Sequence, residues 1–294
     1  MLGGNVMGPI MTAAMHYVNI AMPYIILPTG LLLLVLCILH AWKMFSLKAS
    51  LKMMLIGYVV AYILEEIGVH TGLIFGHYHF TRLMGPKIDV IPIALVCLWV
   101  TLLYIAFIVT NLLIDGSPLP KRYDVKHLVF TSAVAALLVT TLDIEADPFA
   151  TLNGWWVWED GGSYFGVPYH NFVGWFFVGF CTYMVHVFQL HRDEQYGEIH
   201  VGTLERAPKW VRILSIAPLL VYWVAGIAFM LIDLEGVLGL VSVYALILPA
   251  IVATYKWFKW YQSTEEVDDY ALPTTYAYVF DPLYDGEENT EEEA

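Results

Sequence analysis

Charged residues are scarce in this chain. Asp, Glu, Lys and Arg make up 14% of 294 residues against 59% hydrophobic ones, and the mean hydropathy is +0.65, which excludes an ordinary soluble domain. Cysteine is nearly absent. Cys37, Cys97 and Cys181 show neither paired nor metal-ligand spacing, so they read as small core residues rather than a disulfide framework or thiolate site. Lys and Arg number only 14, and no basic surface is available to hold nucleic acid. No two histidines are adjacent, which argues against the ligand boxes of a membrane di-iron hydroxylase or desaturase. The one Asp-Asp pair, Asp268-Asp269, lies in the C-terminal tail, against the Mg-diphosphate motifs of an intramembrane prenyltransferase. No internal repeat marks an inverted-repeat transporter, and no basic segment precedes the first apolar run as in a cleaved signal peptide.

What is present is long apolar runs. A helix needs about 20 apolar residues to cross a hydrocarbon core of about 30 Å, and the runs predict an all-α, polytopic transmembrane bundle of about seven spans: 22–42, 50–69, 90–113, 127–145, 171–190, 212–233 and 237–260. Twelve of the fourteen basic residues fall in alternate connections: Lys43, Lys48 and Lys52; Lys121, Arg122 and Lys126; Arg192, Arg206, Lys209 and Arg212; Lys256 and Lys259. Only Arg82 and Lys87 lie on the other side, so the N-terminus is expected outside and the C-terminus in the cytoplasm of a prokaryotic plasma membrane. Both lysines near the seventh span sit at its cytoplasmic end, where a retinal Schiff base has no use for them. His186 and His191 have box-like spacing but fall toward the cytoplasmic side, as an interfacial and a juxtamembrane histidine.

The expected organisation is an outer N-terminal segment (1–21), a transmembrane domain (22–262) and an acidic tail (263–294). Eleven acidic residues lie in 265–294, so the net charge of -13 falls to about -2 without them, and the tail is expected to be disordered. Its expected role is solvation, with docking of a partner as the alternative.

The remaining ionisable residues have a side. Glu65, Glu66 and His70 end the second span, His77, His79 and Asp89 fill the next loop, Asp143, Glu145 and Asp147 end the fourth, and Asp233 and Glu235 follow the sixth. All fall at the predicted outer face, where charges near membrane depth point to a functional cavity. Glu66 and His70, four apart, share a helix face, whereas Glu65 points about 100° away. A structural hydrogen-bonded pair explains Glu66 and His70 equally well. The stretch "WWVWEDGGSYFGVPYHNFVGW" adds Trp155, Trp156, Trp158, Tyr164, Phe165 and Trp175, with Asn171 among them. An interfacial or partly re-entrant aromatic loop accounts for the tryptophans, but not for the acids interleaved with them. Aromatic faces beside acids suit a reaction through a carbocation.

"EEIGVHTGLIFGHYHFT", "LMGPKIDVIP", "LDIEADP" and "YFGVPYHNFVGW" together resemble the carotenoid biosynthesis membrane proteins that include the carotenoid 1,2-hydratases and bisanhydrobacterioruberin hydratases, over roughly residues 55–250. The resemblance implies a hydratase without cofactor or metal that adds water across the terminal C1=C2 bond of an acyclic carotenoid end group, the family's substrates being γ-carotene or bisanhydrobacterioruberin. Its implied partners are the isoprenoid substrate, membrane lipid and other carotenoid-pathway enzymes. Such chemistry needs a carboxylic acid held neutral near pH 7. Glu66 and Asp143 are the leading candidates, with His70 or His79 orienting water and Asn171 binding the water or product hydroxyl. Glu65, His77, Tyr78, Asp147, Trp155, Trp158, Tyr164, Phe165 and Trp175 are the expected substrate contacts. A cyclase or isomerase using the same cation, and a non-catalytic carotenoid-binding or assembly protein, are the alternatives.

Overall fold

The computed structural model describes residues 9–45, 47–121, 124–195, 204–232 and 236–268. Asp233, Glu235 and the tail from 269 onward lie outside them. Seven helical segments are long and apolar enough to cross a membrane, in agreement with the hydropathy of the sequence. They are α1 (Pro9–Met44), α2 (Leu47–Thr71), α3 (Ile93–Asp115), α4 (Val125–Leu152), α5 (Tyr169–Gln195), a sixth span made of α6 (Lys209–Leu214) and α7 (Ala217–Ile232), and a seventh made of α8 (Val237–Ser242) and α9 (Leu248–Asp268).

Several helices run past the apolar runs, α4 to Leu152 rather than 145, α5 to Gln195 rather than 190 and α9 to Asp268 rather than 260, and three further departures have local causes. Helix α1 begins at Pro9 rather than 22, because residues 9–21 are apolar enough to extend it by several turns. The sixth span breaks between Leu214 and Ala217, which places Pro218 in the first turn of α7, where its missing N–H leaves no helix hydrogen bond unmade. Helices α8 and α9 are joined by a single π-helical segment, Val243–Ile247, which lets the seventh span run on with one wider turn.

Helix α3 is the hub. Its mean hydropathy is the highest of the seven spans, and it packs against α1, α2, α4, α7 and α9, so that apolar side chains are buried all round it. Polar groups set its ends and those of its neighbour. Gly116 closes α3 in the left-handed conformation with its N–H on Leu112 O, and the Asp124 carboxylate caps α4 by accepting from His127 N at 3.0 Å.

The connections at one end of the bundle carry the only strands among the described residues. Strand β1 (Tyr78–Phe80) follows α2; β2 (Lys87–Ile88) and β3 (Ile91–Pro92) form a small hairpin before α3; β4 (Trp156–Trp158) follows α4. Strands β1 and β4 pair antiparallel with Tyr78 opposite Trp158, His79 opposite Val157 and Phe80 opposite Trp156. Alternation of side chains in this register turns Tyr78, Phe80, Trp156 and Trp158 inward and leaves His79 and Val157 outside. The pair forms an aromatic lid over the end of α2, α3, α4 and α5. Lys87 Nζ donates to Phe80 O at 2.5 Å and Trp158 Nε1 to Phe75 O at 3.2 Å, which fix the lid to the loops around it. Two glycines make room for this end. Gly76 turns the chain into β1 at φ +100°, and Gly174 lets α5 approach the loop after α2, where a Cβ would lie 2.3 Å from Ile74 O.

Candidate functional site

Beneath the lid, three helices contribute polar side chains to one buried spot. Glu65 comes from the last turns of α2, Asp143 and Asp147 from one face of α4 at a spacing of four, and Asn171 from the first turn of α5. Each is at most 3% exposed. Asn171 Nδ2 donates to Asp143 Oδ2 at 3.2 Å and also to Asp147 Oδ2, so one amide bridges both α4 carboxylates. Tyr78 reaches down from the lid and donates its hydroxyl to Glu65 Oε1. Burial above all holds the Tyr78 phenol well above its ordinary range, so it remains a donor at physiological pH.

Glu65, Tyr78, Asp147 and Asn171 line a narrow cavity whose remaining walls are apolar and aromatic: Leu95 and Trp99 of α3, Trp175 of α5, and Phe80, Trp156 and Trp158 of the lid. No Lys, Arg or His is among the lining residues. The Trp158 ring stacks on Tyr78 at 5.2 Å, and Trp99 stacks on Trp175 with centroids 3.4 Å apart at the cavity floor. Three buried polar atoms here have no protein hydrogen-bond partner: Glu65 Oε2, Asp143 Oδ1 and Trp156 Nε1. Unpaired buried groups cost about 1–3 kcal/mol each, which makes this spot a candidate site.

The structure sorts the residues expected from sequence into those that meet here and those that do not. Glu65, Tyr78, Asp143, Asp147, Trp158, Asn171 and Trp175 come together. Glu66 and His70 do not. Glu66 accepts from Tyr62 at 2.7 Å and faces His70, while the His70 ring is 55% exposed and lies 3.2 Å from Glu66 and 2.8 Å from Asp89. The two acids at 65 and 66 project from the helix about 100° apart, and tertiary packing turns Glu65 inward. His77 and His79 are exposed, with His79 3.6 Å from Glu159. Trp155 packs beside the site, donating to Asn19 Oδ1 at 2.9 Å. Tyr164 and Phe165 contact each other and neighbouring aromatics, outside the cavity lining, and burial pushes the Tyr164 phenol up to about 12. His186, expected at an interface, is instead 5% exposed inside the bundle.

Four wall residues, Phe80, Leu95, Trp99 and Trp156, escaped sequence reasoning as site residues. Phe80 and Trp156 stand two positions from Tyr78 and Trp158, so a strand reading of "YHF" and "WVW" would have found them; Trp99 carries no local signal. Among the described residues, one group of ligating side chains sits close enough to hold a metal ion: the donor atoms of Glu66, His70 and Asp89 all lie within 4.8 Å of one another. It lies on the outward side of α2, apart from the aromatic-walled cavity.

Residues 21–246 match the family described as carotenoid biosynthesis protein. The chain belongs to that family. Within curated proteins, it is similar to the bisanhydrobacterioruberin hydratase of Haloarcula japonica, with 26% identity over 133 residues, 45% of this chain and 43% of that protein. The match thus spans less than half the length of the relative. No solved structure matches the chain. The cavity therefore lies in a carotenoid biosynthesis family member that has seven helices long and apolar enough to cross a membrane.

Proposed function

We propose that this protein is a hydratase that adds water to the terminal C1=C2 bond of an acyclic carotenoid end group. The observation that carries the reading is a cluster of buried carboxyl groups closed in by aromatic rings. A trisubstituted alkene is a weak base, and protonating it demands a carboxylic acid rather than a carboxylate. In this reading Glu65, whose Oε2 is free of protein partners and whose Oε1 is held by Tyr78, gives its proton to C2. The electron pair of the double bond forms the new C–H bond and leaves a tertiary cation at C1. Faces of Trp99, Trp158 and Trp175 stabilise that cation, an effect of about 2 kcal/mol or more in a dry site. Water then attacks C1, and its proton passes to the Asp143–Asp147 pair, which Asn171 positions. Proton exchange through bulk water restores Glu65. One water is consumed, one tertiary alcohol is formed, and no oxidant or reductant is required.

The relative's printed name, bisanhydrobacterioruberin hydratase, supports the same reaction class. The placement of the basic connections at the other end of the bundle supports a site on the outer side of a prokaryotic plasma membrane. The test is the purified protein in lipid with an acyclic carotene in H₂¹⁸O. Hydration gives a product heavier by one water with the label in its hydroxyl; a product of unchanged mass identifies a cyclase or isomerase and overturns the proposal.

A further inference from the structure

A trough of 510 Å³ runs along the bundle between α1, α3 and the broken sixth span. Ligand cavities measure about 300–1,000 Å³, so the space is large enough to hold a molecule. Its wall on α1 extends from Leu33 to Lys43, about 15 Å of helix. That is half of a hydrocarbon core of about 30 Å, and the trough is thus one leaflet deep. Leu36, Leu39 and Val221 along it are half-exposed, which leaves it open toward the bilayer.

The break in the sixth span shapes this trough, and a polar relay holds it. Leu214 O, at the end of α6, finds no donor four positions on, because residue 218 is proline; the buried His40 of α1 donates its Nε2–H to it instead, at 3.1 Å. A carbonyl only accepts, so Nδ1 of the neutral ring is left as an acceptor and takes the Tyr104 hydroxyl of α3 at 2.5 Å. Thr101, the other hydroxyl on the wall, donates to Cys97 O at 2.9 Å. The floor therefore satisfies its polar groups within the protein and offers an occupant only apolar surface. The rim differs. Lys43 stands there with its Nζ 4.4 Å from the Trp42 ring and 5.7 Å from that of Trp210. It meets no carboxylate among the described residues, and no Asp or Glu lines the trough. Indoles and an ammonium at the end of a span belong at a membrane–water interface. Here they set one uncompensated positive charge at the mouth of an apolar trough.

We propose that the trough binds one anionic phospholipid from the leaflet at the basic end of the bundle, with an acyl chain between α1 and α7 and the phosphate group at Lys43. A depth of one leaflet suits an acyl chain rather than a molecule that crosses the membrane. The absence of acids from the walls suits a headgroup of net negative charge, since the cation of a zwitterionic headgroup would meet nothing there. The inference rests on the seven helices lying in a membrane and is independent of the hydration reading. Such a lipid ties α1 to the sixth span where helix packing alone leaves a gap.

The experiment is native mass spectrometry of the full chain released from detergent micelles, titrated with three probes: phosphatidylglycerol, phosphatidylcholine with the same acyl chains, and an acyclic carotene hydrocarbon. Wild type retains one phosphatidylglycerol per chain, about five- to tenfold more tightly than phosphatidylcholine, the range of one lysine at a membrane surface. Lys43→Gln brings that ratio to within about twofold. Lys259→Gln, which alters an exposed lysine outside the trough at the same end of the bundle, leaves the ratio unchanged. Ala217→Phe, or Val221→Trp if the first does not fold, fills the trough and weakens both phospholipids about tenfold or more. Equal retention of the two phospholipids by wild type overturns the proposal, as does a ratio that responds alike to Lys43→Gln and Lys259→Gln, or retention that survives filling of the trough. Tighter retention of the carotene than of phosphatidylglycerol identifies a polyene site, and a dimer mass lost on filling identifies a contact between two copies of the chain; either result overturns the phospholipid.

Discussion

The Tyr78 hydroxyl donates to the Glu65 carboxylate across thirteen positions of sequence, joining a three-residue strand to the end of a transmembrane helix. This contact singles out Glu65 from Glu66 and gives the first prediction. Glu65→Gln lowers turnover by at least about 10²- to 10⁴-fold, the range of a lost general acid, with carotenoid binding retained. Glu66→Gln stays within a few-fold of wild type. Comparable losses in both variants would remove Glu65 from its proposed role.

Asn171 is expected to matter for stability as well as rate. Asn171→Leu leaves the Asp143 and Asp147 oxygens it serves without their donor, at a cost of about 1–3 kcal/mol in a buried site. Thermal unfolding in detergent should show a lower midpoint for Asn171→Leu than for Asn171→Gln, which keeps the amide. An unchanged midpoint in the leucine variant would argue that the bridge is dispensable.

Tyr78 gives a pH dependence with a definite sign. Burial above all raises its phenol in the folded protein, so at pH above about 10 the unfolded chain releases a proton that the folded one keeps. Folding stability therefore falls as pH rises beyond about 10, and Tyr78→Phe should flatten that limb. Denaturant midpoints between pH 8 and 11 check it; parallel curves for the two proteins would contradict the buried-phenol picture.

The exposed histidines yield a contrast. His70→Ala and His79→Ala remove rings that sit outside the cavity, so each should leave turnover within a few-fold and its pH profile unshifted. A tenfold loss in either would bring the outward face of α2 or β1 into the reaction.

Close packing supplies a structural prediction. In Gly174→Ala the new methyl meets Ile74 O at 2.3 Å and must push α5 from the loop after α2. Overpacking of this kind costs about 1–3 kcal/mol, visible as a lower unfolding midpoint. A variant as stable as wild type would show that the loop yields freely.

Seven spans were legible because apolar length in a bilayer is a one-dimensional property, readable from residues in order. Membership of the site was only half legible. Asp143, Asp147, Asn171, Trp158 and Trp175 stand out as polar or aromatic residues at the ends of spans, yet choosing Glu65 over Glu66 needs the rotation of α2, which its neighbours set. Local pattern also favoured Glu66 with His70, a pair the fold realises on the outside. Strands β1 and β4 are too short for a hydropathy pattern and form only because they meet each other. Trp99, in a helix apolar on every side, differs in no visible way from its buried neighbours until Trp175 stacks on it.

The lid has a consequence for biogenesis. Strand β1 precedes α3 and β4 follows α4, so the α3–α4 hairpin must be threaded into the bilayer before the two strands can meet. The enclosure over the carboxylates is thus a late product of insertion. A chain arrested after its third span already carries Glu65 and Tyr78, but lacks both the acids of α4 and half of the roof that would keep water from them.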